Sequence, residues 1–67
     1  MSKTFEIIER VGVSTESTDD AIKTAVLEAN KDKKVSWFEV DEHRGRVTSE
    51  GKVEFQVTLK IGIKPND

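Results

Sequence analysis

The sequence contains no cysteine and a single histidine. Disulfides and thiolate zinc sites are therefore excluded, and so is a histidine-rich metal centre. Apolar side chains are also scarce: hydrophobic types make up 34% of the 67 residues, against roughly 45–50% (glycine included) in an average soluble domain. A single domain of this size has a core worth about 3–5 kcal/mol at most. With disulfide and metal staples excluded, self-association is the remaining source of stability. The length also argues against enzyme architectures, which usually need about 100 residues or more to enclose a cleft. Thirteen acidic against eleven basic residues give a net charge of −2, without the basic excess that phosphate binding to nucleic acid requires. No apolar run approaches the ~18 residues of a membrane span. Met1 to Thr4 lead straight into a strand pattern, with no secretory leader, so neither membrane nor nucleic acid is expected as a partner and the cytoplasm is the expected compartment. No repeat, linker, glycine-rich phosphate loop, nucleophile triad or carboxylate dyad can be recognised.

What is present is strong patterning. Residues 3–13 (KTFEIIERVGV) form an imperfect period-two strand, with Phe5, Ile7 and Val11 on one parity and Gly12 expected to end or bend it. Ser14 to Asp20 (STESTDD) is a cluster of helix starters. Ser17 or Thr18 suits the N-cap, and Asp19 and Asp20 meet the positive end of the helix dipole. Ala21, Ile22, Ala25, Val26 and Ala29 then make one helical stripe, which predicts a helix over about 18–31 that stops in Asn30–Lys34. The clearest signal is the segment 52–64, in which Val53, Phe55, Val57, Leu59, Ile61 and Ile63 alternate with polar residues or glycine throughout. That is a strand with one buried face. Thr48 to Gly51 form a hairpin loop that pairs it antiparallel with a strand over 35–47. Pro65, Asn66 and Asp67 read as a frayed end.

The order β-α-β-β predicts an α+β fold, a three-stranded antiparallel sheet folded around one helix in a single domain covering the whole chain. Strands of about 13 residues extend some 40 Å at about 3.3 Å per residue. A 14-residue helix spans only about 21 Å. The uncovered sheet must pack elsewhere, which again points to an oligomer.

Alternation along the second strand makes Phe38 and Val40 the natural core pair and groups Val35, Trp37, Glu39 and Asp41 on the opposite face. Hairpin register then sets Trp37 near Ile61 or Gly62, and puts Gln56 farther along the same helix-averse face. If Trp37 and Gln56 act together, a bent sheet or a second subunit must join them. An outward Trp among four aromatics suits a subunit-interface anchor. It equally suits a flat ring presented for stacking, with Gln56 offering an amide donor and acceptor to a heterocycle edge. Glu39 and Asp41 could hold a divalent cation through oxygen ligands, although an intersubunit salt bridge is the more ordinary role. Arg44 and Arg46, flanking Gly45, with Lys60 and Lys64, could grip a phosphate. His43 reads as a solvated strand-end residue. The glycines at 12, 45, 51 and 62 read as bends, turns or a bulge.

Taken in order, Val11-Gly12-Val13-Ser14, Ala21-Ile22, Trp37-Phe38-Glu39-Val40, Arg44-Gly45 and Phe55-Gln56-Val57-Thr58-Leu59-Lys60-Ile61-Gly62 resemble the dodecins, specifically their bacterial branch, from about residue 4 to 64. The resemblance implies a hollow homododecamer of β-α-β-β chains that stores flavin and does not catalyse. Flavins would stack in pairs between tryptophans of symmetry-related subunits, where contact with the indole quenches their photochemistry. Trp37 matches the family tryptophan and Gln56 the glutamine that bonds the ring edge. Arg44 and Lys64 match basic residues associated with phosphate, and Val35 borders the ligand. FMN or riboflavin is the implied ligand, with coenzyme A a further one in some bacterial members. Other members lack the tryptophan and are linked to calcium, which is the alternative reading. The chain is one residue shorter between Ala21-Ile22 and Trp37 than the bacterial pattern, and Lys64 replaces a common arginine.

Overall fold

In the computed structural model, which describes residues 2–65, the order of elements is β1 (Glu6–Ser14), α1 (Thr18–Asp32), β2 (Val35–Val47) and β3 (Val53–Ile63). Met1 and the expected frayed residues Asn66 and Asp67 lie outside the described residues. The three strands form one antiparallel sheet in the order β1-β3-β2. The most regularly alternating segment is thus the central strand, hydrogen-bonded on both edges, where burying one face returns the most apolar contact.

The start of α1 follows its sequence signals. Ser17 is extended, and its Oγ accepts from the Asp20 amide at 3.0 Å. Such a cap satisfies one of the free N–H groups of the first turn. Buried Ser14, the last residue of β1, adds a second clamp: its Oγ donates to Asp20 Oδ2 at 2.7 Å and accepts from the Glu16 amide at 2.9 Å. These bonds fix the sharp turn from strand into helix. The far end is equally tight. The Lys33 amide donates to the Ala29 carbonyl at 3.2 Å, the Val35 amide to Asn30 Oδ1 at 3.0 Å, and the Lys64 amide to the Lys34 carbonyl at 2.8 Å. The connection before Trp37 is therefore closed by a side chain of the last helical turn.

The core is narrow. Ala21, Ala25 and Ala29 of α1 lie on Val57, Leu59, Ile61 and Ile63 of β3, with Ile8, Ile22, Val26 and Val35 at the margins. An alanine stripe lets the helix axis come close to the sheet. At Gly12 the approach is closest, since a Cβ there would sit 2.1 Å from the Ala21 carbonyl oxygen and 3.2 Å from the Ala25 Cβ. Gly12 therefore does not end the strand. β1 runs on through it to Ser14, and the missing side chain is what seats the helix.

A second correction concerns β2. Phe38 and Val40 do share the helix side of the sheet, opposite Ile61 and Leu59, yet they are 48% and 38% exposed. The helix packs on β1 and β3 far more than on β2, because the Gly12 contact draws it to the opposite edge. Farther along, Val47 and Val53 are exposed as well. The molecule measures 52 × 20 × 14 Å, an elongated ribbon with a helix over part of its length. No helix among the described residues is long and apolar enough to cross a membrane.

Replacing Gly12 by Ala forces a methyl group into the Ala21 backbone. Overpacking of this kind costs about 1–3 kcal/mol, and a denaturant melt of Gly12→Ala should show at least that loss. An unchanged midpoint would mean that the helix does not rest on Gly12.

Candidate functional site

Facing residues in an antiparallel pair point to the same side of the sheet, so the register assigns each side chain to a face. Opposite the helix, β3 presents Glu54, Gln56, Thr58, Lys60 and Gly62. Their partners on β1 are Val13 for Gln56, Val11 for Thr58, Glu9 for Lys60 and Ile7 for Gly62. On β2 they are Arg46, Arg44, Glu42, Glu39 and Trp37.

Two irregularities in β2 decide this arrangement. The register shifts between Val35 and Trp37 and again between Val40 and Glu42. Each extra residue turns the following side chains over. Strict alternation would leave Val35 beside Trp37. The first shift instead pairs Val35 with Ile63, half-buried against the core, so Val35 lies on the opposite face of the sheet from the indole. The second moves Glu42 to the outward face and leaves Asp41 at the irregularity. There its carboxylate stands 4.0 Å from Lys60 Nζ. Asp41, expected to pair between subunits, thus also has a cation beside it within its own chain.

Trp37 lies where hairpin register put it, facing Gly62 on the helix-averse side, and is 38% exposed. A Cβ on Gly62 would fall 2.1 Å from indole Cε2, 2.4 Å from Nε1 and 2.6 Å from Cδ2. Cε2 and Cδ2 form the bond shared by the two rings, so the middle of the indole covers Gly62. Sequence reading treated this glycine as a bend or bulge. The missed signal was the one gap in the polar alternation of β3, falling opposite the tryptophan. One flank of the ring is held by backbone, and more than a third of the residue remains open to a stacking partner.

Gln56 and Arg44 face one another across β3 and β2, outward and beside Val13. Six residues separate Gln56 from Gly62 along the strand, about 20 Å at about 3.3 Å per residue. That is farther than a three-ring heterocycle reaches. Lys64 follows Gly62 and belongs to the Trp37 end, where its amide binds Lys34. The candidate residues therefore form two half-sites on one face, Trp37 with Gly62 and Lys64 at one end, Gln56 with Arg44 at the other. A ligand held by both Trp37 and Gln56 must take them from two copies of the chain.

Beside Gln56 is a bonded group that composition gave no hint of. Glu54 Oε1 accepts from Arg46 Nε at 2.8 Å and from Gln56 Nε2 at 3.0 Å. The Arg46 bond first, and the Gln56 bond after it, hold the Glu54 carboxyl below its ordinary range, while the Glu54 bond raises the Arg46 guanidinium. Glu54 is the depressed group, so its contribution to the fold is complete above the ordinary glutamate range. It is lost as pH falls through the lowered value. His43 lies on the other face, opposite Val57. Among the described residues no three His, Asp or Glu side chains converge as a metal site would require.

Two outcomes are expected from these contacts. Gly62→Ala should expel the indole from its seat and shift the Trp37 emission maximum; an unmoved spectrum would mean that the ring does not rest on this glycine. A carboxyl ¹³C titration should find Glu54 below the ordinary glutamate range, and Arg46→Met should raise it. A Glu54 that titrates in the ordinary range would contradict the bonded group.

Comparison with known proteins agrees with the geometry. The Dodecin family model matches residues 4–65. A curated dodecin of Thermus thermophilus is 38% identical over 65 residues, 96% of this chain and 94% of that protein. A Thermus thermophilus crystal structure superposes with a TM-score of 0.88 at 36% identity, covering 98% of both chains. Dodecin from Streptomyces davaonensis gives 0.85 at 32% identity, covering 96% of both. A calcium dodecin of Mycobacterium tuberculosis, described as calcium-chelating with a novel calcium-binding site, gives 0.85 at 25% identity over 96% of this chain and 93% of that one. On its fold, and on a family match spanning nearly all its length, this chain belongs to the dodecin family.

Proposed function

We propose that the protein sequesters flavin, FMN or riboflavin, as stacked pairs between Trp37 side chains of neighbouring copies in a homododecamer. The observation that carries this reading is the indole of Trp37 laid over Gly62 on the outward face of a dodecin chain. A ring backed by glycine is held at a defined height with one side available to a second flat ring, and stacking of this kind is favoured for extended π systems. The second half-site supports the same reading. The Gln56 amide carries both a donor and an acceptor, which suits the imide edge of an isoalloxazine. Arg44 across from it supplies a permanent cation for a phosphate tail, and Lys64 supplies another at the Trp37 end.

Self-association follows from the surface. Phe38, Val40, Val47 and Val53 lie on the helix side of the sheet, in the part that the helix leaves uncovered, with Leu27 exposed on the helix itself. Other copies of the chain would cover them, and in doing so bring a Trp37 half-site of one copy to a Gln56 half-site of another. In that arrangement the indole quenches the light-excited flavin by electron transfer, so the protein stores and protects the ligand. A ring closed between indole and a second flavin gives a substrate no access, and catalysis forms no part of this reading. Val35, on the core face, contributes by fixing the start of β2 rather than by touching the ligand.

A second reading, binding of a divalent cation, has one relative in its favour, the calcium dodecin. In this chain one of the two carboxylates considered for such a role, Asp41, stands beside the ammonium of Lys60, and the flavin reading is preferred.

The test is a fluorescence titration of FMN with ligand-stripped protein. Strong quenching that saturates near one flavin per chain is expected, lost in Trp37→Ala while the assembly keeps its size. Gln56→Ala should weaken binding by about 1–3 kcal/mol, the usual cost of an unpaired buried polar group. Absence of quenching by an intact assembly would overturn the proposal and leave Trp37 as an interface anchor.

A further inference from the structure

We infer that Glu54, itself clamped by Arg46, is a positioning residue that fixes the orientation of the Gln56 amide and thereby selects ligand rings with a free imide N–H. The inference rests on the flavin reading above and adds a determinant of its specificity. A glutamine amide is nearly symmetric in shape, and its two ends differ only in donating or accepting. Free on a strand surface, it would present either end to a ligand. Here the choice is made by a neighbour two residues away on the same face. An ionised carboxylate accepts hydrogen bonds and cannot donate them, so the atom of Gln56 that lies 3.0 Å from Glu54 Oε1 must be the nitrogen. The Gln56 carbonyl oxygen is then turned away from Glu54, with one N–H left over beside it.

Glu54 can impose this orientation because it is itself immobilised. Arg46, directly opposite on β2, donates its Nε to the same carboxylate oxygen at 2.8 Å. The guanidinium keeps that carboxylate charged, and a charged acceptor makes the stronger bond. The charged groups facing this cluster from β2 are Arg46 and Arg44, while the β1 neighbour of Gln56 is apolar Val13. The outward group offered to a ligand is consequently an acceptor flanked by a donor. It matches an imide, whose N–H lies next to a carbonyl. A ring methylated at that nitrogen would set a methyl group against the Gln56 oxygen and lose the bond.

The experiment compares riboflavin with 3-methylriboflavin, neither of which carries a phosphate, so a change of charge at residue 54 does not act through the tail. Affinities are measured by fluorescence quenching for the unaltered protein, Glu54→Ala and Gln56→Ala, each confirmed as assembled by size. The unaltered protein should prefer riboflavin, and Gln56→Ala should lose most of that preference. Glu54→Ala should lower the preference about threefold to tenfold, the range set by one hydrogen bond. A general loosening of the sheet would weaken both ligands alike and leave the ratio unmoved. A Glu54→Ala protein that keeps the full preference overturns the inference and leaves the flavin reading standing. Failure of the unaltered protein to bind either ring overturns both. If Glu54→Ala does not assemble, Glu54→Leu keeps the bulk, lacks an acceptor and is judged by the same ratio.

Discussion

The organising constraint in this molecule is a mismatch of lengths. The 15-residue helix spans about 22 Å at about 1.5 Å per residue. The 13-residue β2 strand reaches about 43 Å at about 3.3 Å per residue. One helix cannot cover such a sheet, and Gly12 draws it toward β1 and away from β2. The buried core is accordingly reduced to three alanines against four aliphatic residues of β3. Everything else follows from the bare remainder: the exposed Phe38, Val40, Val47 and Val53, the thin intrachain core, and the need for further copies of the chain.

The second consequence appears on the other face. With the helix on one side and no layer on the other, the outward surface of the sheet is free to carry function. The bulges in β2 distribute its side chains. They return Val35 to the core, send Trp37 outward over Gly62, and bring Glu42, Arg44 and Arg46 to the same side. β-Bulges commonly serve to re-aim side chains near functional sites, and here two of them within one strand separate a start that packs on the core from a remainder that turns Trp37, Arg44 and Arg46 outward. The two half-sites sit too far apart to serve one ligand in one chain. On the function proposed above, the same subunit contacts that would hide the bare apolar surface would also bring the two half-sites together.

Polar order on that face is local and strong. Lys60 stands among Glu9, Glu39 and Asp41, and Glu54 gathers Arg46 and Gln56 on a single oxygen. Exposed ion pairs contribute little to stability, so the value of the second cluster lies in orientation. A glutamine whose amide is already directed loses less freedom when it meets a ligand.

Residue pattern alone settled the four elements, narrowed the helix cap to Ser17 or Thr18, and gave the pairing of β2 with β3 and the outward position of Trp37, because each depends on short-range periodicity and on turn geometry. It also carried the family resemblance, through Trp37, Gln56 and the segments around them. Tertiary structure decided what periodicity cannot express. Bulges break the parity from which faces are read, and so Val35 and Glu42 changed sides. The roles of Gly12 and Gly62 depend on what approaches a missing side chain from another element, the Ala21 carbonyl in one case and an indole in the other. The Arg46–Glu54–Gln56 group joins two strands through a register, and whether Phe38 is core depends on where the helix comes to rest. Those are distances between segments remote in sequence, and only the folded chain sets them.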